Sequence, residues 1–450
     1  MKREKLVVIG GVAAGMSAAS KAKRENPALD VHVYERGPHV AYAQCGLPYY
    51  LAGYVSDPEK LVVRNPAQFK ERGIRVYLFH EAVELDAQKK TVTIRNLLEA
   101  KVESVAYDYL VIATGADPVM PNLPGMQLPG VLPIKTIPDA EAIQRTLEEH
   151  QANHIVLMGG GYINVEMAEA LVTRGKKPLL FQRPSQVLKS MDESFGRMAG
   201  EELEKHGVTV RAGEEVQSLK GENKVQEVIT DQGRYPADLV IVALGIRPNT
   251  QWLAGSGLAM AEQGGIQVDG HGGTNLENVY AAGECALVYH RIKKRFVYHP
   301  LGTSANKQGK TAGAAIAGKP IVFGGILGTS VVKVMDLAFG KTGLSEKEAI
   351  AEKIEYQTST VTGSSHASSY PGASPVTIKL VVEKTSRKLL GAQIMGPVEG
   401  SKRLDVLALA IQNEMTVEEL GMADLSYAPP FATVWDVVQV AANAVKRGGE

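Results

Sequence analysis

A chain of 450 residues with 44% hydrophobic content has room for about two to four domains with sizeable cores, which excludes a disordered chain. Lys plus Arg balance Asp plus Glu at 49 each, leaving no basic surplus for nucleic acid and no acidic tail. No nucleic-acid partner is therefore expected.

The opening stretch MKREKLVVIGGVAAG has the outline of a signal peptide, but its apolar run is short and stops at a glycine pair, so it reads as a first strand. No apolar segment reaches ~18 residues without a charge or a glycine-rich break, so no membrane span is predicted. The two cysteines, Cys45 and Cys285, lie far apart and make neither a disulfide framework nor a paired metal motif. That usage predicts a reducing, cytoplasmic setting.

In chain order, KLVVIGGVAAGMSAASKA (Lys5 to Ala22) gives an apolar run, a glycine turn and a helical pattern, then a second apolar run ending at Glu35. Gly10, Gly11 and Gly15 lack the side chains that would keep a pyrophosphate from backbone N–H groups at a helix start. Glu35, about 20 residues beyond Gly15, suits a ribose hydroxyl pair, although Val12 stands where the usual middle glycine would be. A tight turn in an ordinary α/β domain is the alternative.

Next comes AYAQCGLPYY, with Cys45 where the chain can pass near the first nucleotide site; GLPYYL is expected to start a helix whose N-terminus stabilises a thiolate. The alternative is a buried structural cysteine, which suits Cys285 in AAGEC better.

A buried strand, YDYLVIATGADP (Tyr107 to Pro118), closes the first unit, and PADLVIVALGIRP (Pro236 to Pro248) closes its repeat. The repeat begins with HIVLMGGGYINVEMAEAL (His154 to Leu171), so two related βαβ nucleotide-binding domains are predicted, one inserted in the other. In the second turn, Gly159, Gly160 and Gly161 are followed by Asn164 at the third glycine position, which is expected to hold the helix slightly off the strand. The strand-end acid is replaced by Gln182, followed by Arg183; without a carboxylate to repel a 2′-phosphate, this site is expected to accept NADPH as well as NADH. Two dinucleotide sites imply electron transfer, with a flavin between hydride and thiol. From about Leu327, alternating runs such as PVTIKLVVE and the helical RLDVLALAIQ predict a separate α+β domain.

Together VVIGGVAAGMSAA, CGLPYY, YDYLVIATGADP, GGGYINVEMAEAL, VALGIRPNT, NVYAAGECA, PLGTSANKQGK and YAPPFATVWD resemble the single-cysteine branch of the FAD-dependent pyridine nucleotide-disulfide oxidoreductases. Within that branch the resemblance is to the coenzyme A disulfide reductases, and it covers essentially the whole chain. It implies an α/β fold of two Rossmann-like domains plus a C-terminal α+β dimerisation domain. The divisions implied are a discontinuous FAD domain at 1–118 and 246–326, an NAD(P)H domain at 119–245 and a dimerisation domain at 327–450.

The resemblance also implies electrons passing from NAD(P)H through FAD to a mixed disulfide between Cys45 and coenzyme A (CoA), in a homodimer with shared active sites. Cys45 has no second cysteine nearby, so it must take its partner sulfur, or an oxygen, from the substrate. Peroxidase and oxidase relatives carry a histidine in the first glycine turn, where this chain has Ala13, and that favours the mixed disulfide. Tyr370 and Tyr427 are implied as donors to the leaving thiolate from the other subunit, with interface packing as their alternative.

For cofactors the resemblance implies Gly10, Gly15, Glu35, Thr114, Gly115, Gly283, Glu284 and Ala305 around FAD. Glu284 stands where aspartate is usual. Gly159, Gly161, Gln182, Arg183 and Gly245 belong to the nicotinamide cofactor, and Glu166 resembles the acid between nicotinamide and flavin. Lys21, Lys23, Arg24, Arg64 and Asn306 are the implied CoA ligands, the lysines and arginines having a solvated basic face as alternative. An oxidase forming hydrogen peroxide, a CoA-persulfide or polysulfide reductase, and a flavin-binding redox sensor are the competing functions; persulfide-reducing relatives often carry an extra rhodanese domain, for which the chain ends too soon.

Overall fold

The run Lys5–Ile9 becomes the central strand of a five-stranded parallel sheet, because Leu6, Val7 and Val8 are fully buried and helices cover both faces of such a sheet. The computed structural model describes residues 3–149 and 152–446. Across this sheet the order is Val279–Ala281, Tyr109–Ile112, Lys5–Ile9, Asp30–Tyr34 and Ile74–Tyr77. A second parallel sheet repeats it with Thr209–Ala212, Leu179–Gln182, Ile155–Met158, Leu239–Val242 and Val131–Pro133.

The edge strand Val279–Ala281 of the first sheet follows the whole of the second in sequence, so the second domain is inserted in the first. The two connecting segments, Ala116–Pro118 and Ile246–Pro248, pair as an antiparallel ribbon. Each domain also carries a three-stranded antiparallel sheet, His80–Asp86 with Thr91–Asn96 and Val102–Ala106, and Val216–Lys220 with Glu227–Thr230 and Arg234–Pro236. Sequence reading missed both: their strands are short, charged and half exposed, with little apolar alternation to show.

The third domain is an antiparallel sheet in the order Ser330–Val334, Leu337–Gly343, Leu389–Pro397, Pro375–Glu383 and Tyr356–Ser364. Helices Arg403–Gln412 and Val437–Asn443 pack on it through Leu404, Leu407, Val437 and Val438. The same domain leaves Leu409, Met422, Phe431, Val434 and Trp435 exposed. It is tied to the inserted domain by buried polar contacts: Lys379 reaches Asp192 at 2.8 Å and also Glu346, while Gln393 donates to Asp192 at 2.6 Å.

Helix Gly302–Ile316, which carries the PLGTSANKQGK motif, lies backbone to backbone on the first helix, Ala13–Glu25. A Cβ on Gly309 would sit 2.1 Å from the Ala14 carbonyl oxygen, so only glycine permits that approach. The packing brings a C-terminal helix of the first domain to the mouth of the first glycine turn. Among the described residues, no helix is long and apolar enough to cross a membrane.

Candidate active site

Cys45 sits in a 3₁₀ turn, Gln44–Gly46, ahead of a five-residue helix, Leu47–Leu51. Leu47 and Leu51 are buried in the inserted domain's core, which fixes the turn between the two nucleotide-binding domains. Cys45 reaches solvent, whereas Cys285 is buried and directs its thiol at the Ile112 and Ala282 carbonyls, both at 3.4 Å. The expected thiolate stabilisation is overturned. Desolvation by the surrounding protein pushes the Cys45 thiol up, the carboxylates of Glu166 and Glu284 add to the rise, and Lys135 offsets only part of it. One short helical turn supplies too little dipole to reverse those charges.

Glu284 lies under the closing turn, its Oε2 3.7 Å from where a Cβ on Gly115 would stand. Its carboxylate is held by the Lys135 ammonium at 2.6 Å, both side chains largely buried. Sequence reading missed Lys135, which follows a strand with no motif around it; charge balance at Glu284 was the available signal. Glu166, on helix Tyr162–Thr173, accepts a long hydrogen bond from the Tyr49 hydroxyl at 3.5 Å. Burial raises its carboxyl to about 7, with Glu169 adding to the rise and the Tyr49 bond opposing it. Tyr49, also missed, is itself pushed up to about 12, first by desolvation and then by Glu166.

The residues around the first glycine turn fit a flavin dinucleotide. Helix Ala13–Glu25 starts with no side-chain cap and no acid in its first turn, leaving its N–H groups for an anion. Glu35 accepts from Gly11 N at 2.7 Å and Gly37 N at 2.8 Å, which pins its carboxylate beside the turn. Gly283 and Ala305 converge on Ala14 at the helix start, and Thr114 donates to the Asn249 carbonyl at 2.6 Å. Further along, Tyr298 holds a buried hydroxyl with no partner among the described residues, in the field of Glu284. An orphaned donor there suits a polar ligand atom.

The second turn has the same form with different residues. Helix Tyr162–Thr173 is likewise uncapped, and a Cβ on Gly161 or Gly245 would meet nothing within 4 Å, so both turns are open to a ligand. Gln182 accepts from Gly160 N at 2.9 Å, as Glu35 does from Gly11. Asn164 is fully buried at the third glycine position and donates to the Met158 and Gly159 carbonyls at 2.7 and 2.8 Å. Its amide thus bridges helix and strand. Arg183 is exposed and pairs with Glu215 at 3.2 Å.

The expected CoA ligands are only partly assembled. Asn306 accepts from Ser17 on the first helix at 2.8 Å, and Lys21 on that helix pairs with Glu25 at 2.6 Å, so these share the helix-pair groove with the exposed Arg24. Lys23 instead donates to the Pro27 and Leu29 carbonyls, at 2.8 and 2.6 Å, and is not brought to the group. Arg64 is partly buried and forms no salt bridge among the described residues. Tyr370 and Tyr427 are about half exposed, and neither hydroxyl has a hydrogen-bond partner among the described residues.

Residues 4–315 match the family described as pyridine nucleotide-disulphide oxidoreductase, and residues 329–437 match its dimerisation domain. A Pyrococcus furiosus protein named NAD(P)H sulfur oxidoreductase (CoA-dependent) is 42% identical over 448 residues, covering 99% of this chain and 100% of that one. A coenzyme A disulfide reductase of Staphylococcus aureus is 29% identical, over 97% of this chain and 98% of its own. The solved structure of reduced Bacillus anthracis CoADR-RHD superposes with a TM-score of 0.95 at 33% identity, covering 99% of this chain and 80% of that one.

Proposed function

This chain belongs to the pyridine nucleotide-disulphide oxidoreductases, and on that premise we propose that it reduces CoA disulfide to two CoA thiols through a mixed disulfide on Cys45. The observation that carries the reading is the solitary Cys45: the residue is exposed in a turn between the two nucleotide-binding domains, while the only other cysteine is buried against backbone carbonyls. The Cys45 thiolate attacks one sulfur of CoA disulfide, the S–S bond breaks, and one CoA thiolate leaves. Two electrons then break the Cys45–CoA bond, release the second CoA and restore the thiolate. Bound FAD supplies the two-electron chemistry between NAD(P)H and that disulfide.

Gly10, Gly15, Glu35, Thr114 and Gly283 would hold the flavin, and Gly159, Gly161, Gln182 and Arg183 the nicotinamide cofactor. Lys21, Arg24, Arg64 and Asn306 would bind the CoA phosphates. Tyr370 and Tyr427 would donate to the leaving thiolate from the other subunit of a homodimer; their unpartnered hydroxyls and the exposed apolar residues of the same domain support that role. A free, solvent-reaching thiol suits a reducing, cytoplasmic setting.

A second reading, CoA-dependent reduction of persulfide or polysulfide, is favoured by the name of the 42% identical Pyrococcus relative. Anaerobic oxidation of NADH and NADPH, with CoA disulfide or CoA persulfide as sole acceptor, tests both. CoA disulfide is expected to sustain turnover; turnover with the persulfide alone would transfer the assignment, and oxidation returning only in air would make the protein an oxidase.

The same assay reads the cofactor preference. With neutral Gln182 at the strand end and exposed Arg183 beside it, Arg183→Ala is expected to lower kcat/KM for NADPH about tenfold while leaving NADH within about twofold. A native enzyme strongly selective for NADH and unaltered by the substitution would refute this.

A further inference from the structure

Cys45 lies on an excursion of the chain between Asp30–Tyr34 and Ile74–Tyr77, neighbouring strands of the first sheet. The excursion packs on the inserted domain, where Leu47, Leu51 and Leu61 share a core with Ile137, Val165 and Leu171. Within it the 3₁₀ turn Gln44–Gly46 runs directly into helix Leu47–Leu51, with Leu47 N donating to the Gln44 carbonyl. So short a helical segment does not hold itself in water. The place of the thiol is set by what the segment docks on.

Among the described residues three polar contacts dock this segment on the inserted domain. Gln44 Nε2 reaches the Lys135 carbonyl and the Tyr49 hydroxyl reaches Glu166, both at 3.5 Å, the long limit of a hydrogen bond. Arg174 is different. Its Nη1 donates to the Leu51 carbonyl at 3.2 Å, and the same guanidinium reaches Gln144 and, at 3.0 Å, Glu148 on helix Ile137–Glu149. Leu51 ends its helix, and among the described residues no backbone amide donates to its carbonyl. A charged donor makes a hydrogen bond about twice as strong as a neutral one.

We propose that Arg174 is a positioning residue for Cys45: by capping the Leu51 carbonyl from the inserted domain, it fixes the segment on which the thiol stands. Arg174 itself closes helix Tyr162–Thr173, whose opposite end carries Gly161 and the second glycine turn. Its planar fork takes acceptors on two further helices, so the Cys45 segment is clamped to the domain that binds the nicotinamide cofactor. The thiol stands about 10 Å along the helical segment from the clamp. A misplacement of about 1 Å at a reacting group costs up to about 100-fold in rate, so a loosened segment is felt in the chemistry. The effect on turnover rests on the CoA disulfide reading above; the docking does not.

The test compares the native holoenzyme with Arg174→Met, which keeps an apolar stem and removes the fork. Hydrogen exchange is read at the amides of Ala52, Gly53, Tyr54 and Val55, which donate to the Pro48, Tyr50 and Tyr49 carbonyls. They are expected to exchange at least about tenfold faster in the variant, while strand Lys5–Ile9 keeps its protection. Anaerobic reduction of bound FAD by NADH should stay within about twofold, because Arg174 lies about 18 Å along its helix from Gly161. Turnover with CoA disulfide should fall about tenfold. Arg174→Lys, which offers one point charge to one acceptor, should restore part of both effects. A merely structural arginine would leave the ratio of the two rates unchanged. Native exchange from Ala52 to Val55 in Arg174→Met overturns the docking. CoA disulfide turnover that stays native, or that falls together with flavin reduction, overturns the positioning role. Should Arg174→Met fail to fold, Gln144→Ala with Glu148→Ala, which frees the fork and spares the core, is expected to raise the same exchange about threefold; no rise there overturns the proposal. Faster exchange in the variant of a protein whose native form releases no thiol from CoA disulfide refutes the CoA disulfide reading alone.

Discussion

Cys45→Ser is expected to lower NAD(P)H oxidation driven by CoA disulfide by about 10⁴-fold or more, while FAD stays bound and reducible. Serine keeps the shape but offers a hydroxyl that neither ionises near neutral pH nor forms the sulfur–sulfur bond on which the cycle depends. No second thiol can substitute, because Cys285 has 0% exposure and its sulfur faces the Ile112 and Ala282 carbonyls. The loss should be complete even though the Cys45 thiol is raised rather than activated, since a thiolate minority still outpaces an alcohol. Steady-state assays with CoA disulfide, run anaerobically, provide the check. Residual activity within about tenfold of native would mean that electrons reach the acceptor without Cys45. Retained oxidation in air alone would be the flavin's own oxygen reactivity, which needs no cysteine.

Gly15→Val is expected to yield protein without bound FAD and with a thermal midpoint lowered by several degrees. A Cβ on Gly15 would lie 1.8 Å from the Gly10 carbonyl oxygen and 3.1 Å from a Val8 methyl. The first obstacle is backbone, so no side chain can swing aside. Gly10 is itself wedged against Ala113, with its own Cβ position 2.1 Å from that residue's carbonyl oxygen. The helix must therefore move off the strand, which carries its uncapped N–H groups away from the pyrophosphate. Flavin absorbance of the purified variant and its melting curve give the readout. A variant holding one FAD per chain would show that the glycine turn is not the flavin cradle.

The parallel sheets and both glycine turns were legible because their signal is local: the runs from Leu6 to Ile9 and Ile155 to Met158 are apolar without interruption, as strands covered on both faces must be. Cys45 was legible by counting, since a redox thiol with no neighbouring cysteine needs its second atom from outside the chain. The two antiparallel sheets were not, their half-exposed strands alternating too weakly to stand out. Lys23 reads on paper as one of a basic cluster with Lys21 and Arg24, yet it folds onto the Pro27 and Leu29 carbonyls of the turn that follows its own helix.

By itself, then, the sequence determined the repeated nucleotide-binding architecture, the separate third domain and the identity of the one available thiol, all properties of contiguous residues. Only the tertiary structure decided the chemistry around that thiol. Lys135 meets Glu284 across a separation of 149 residues and Tyr49 meets Glu166 across 117. A charge state depends on burial and on groups within a few ångströms, and such neighbours are set by how the domains pack, whatever their distance along the chain.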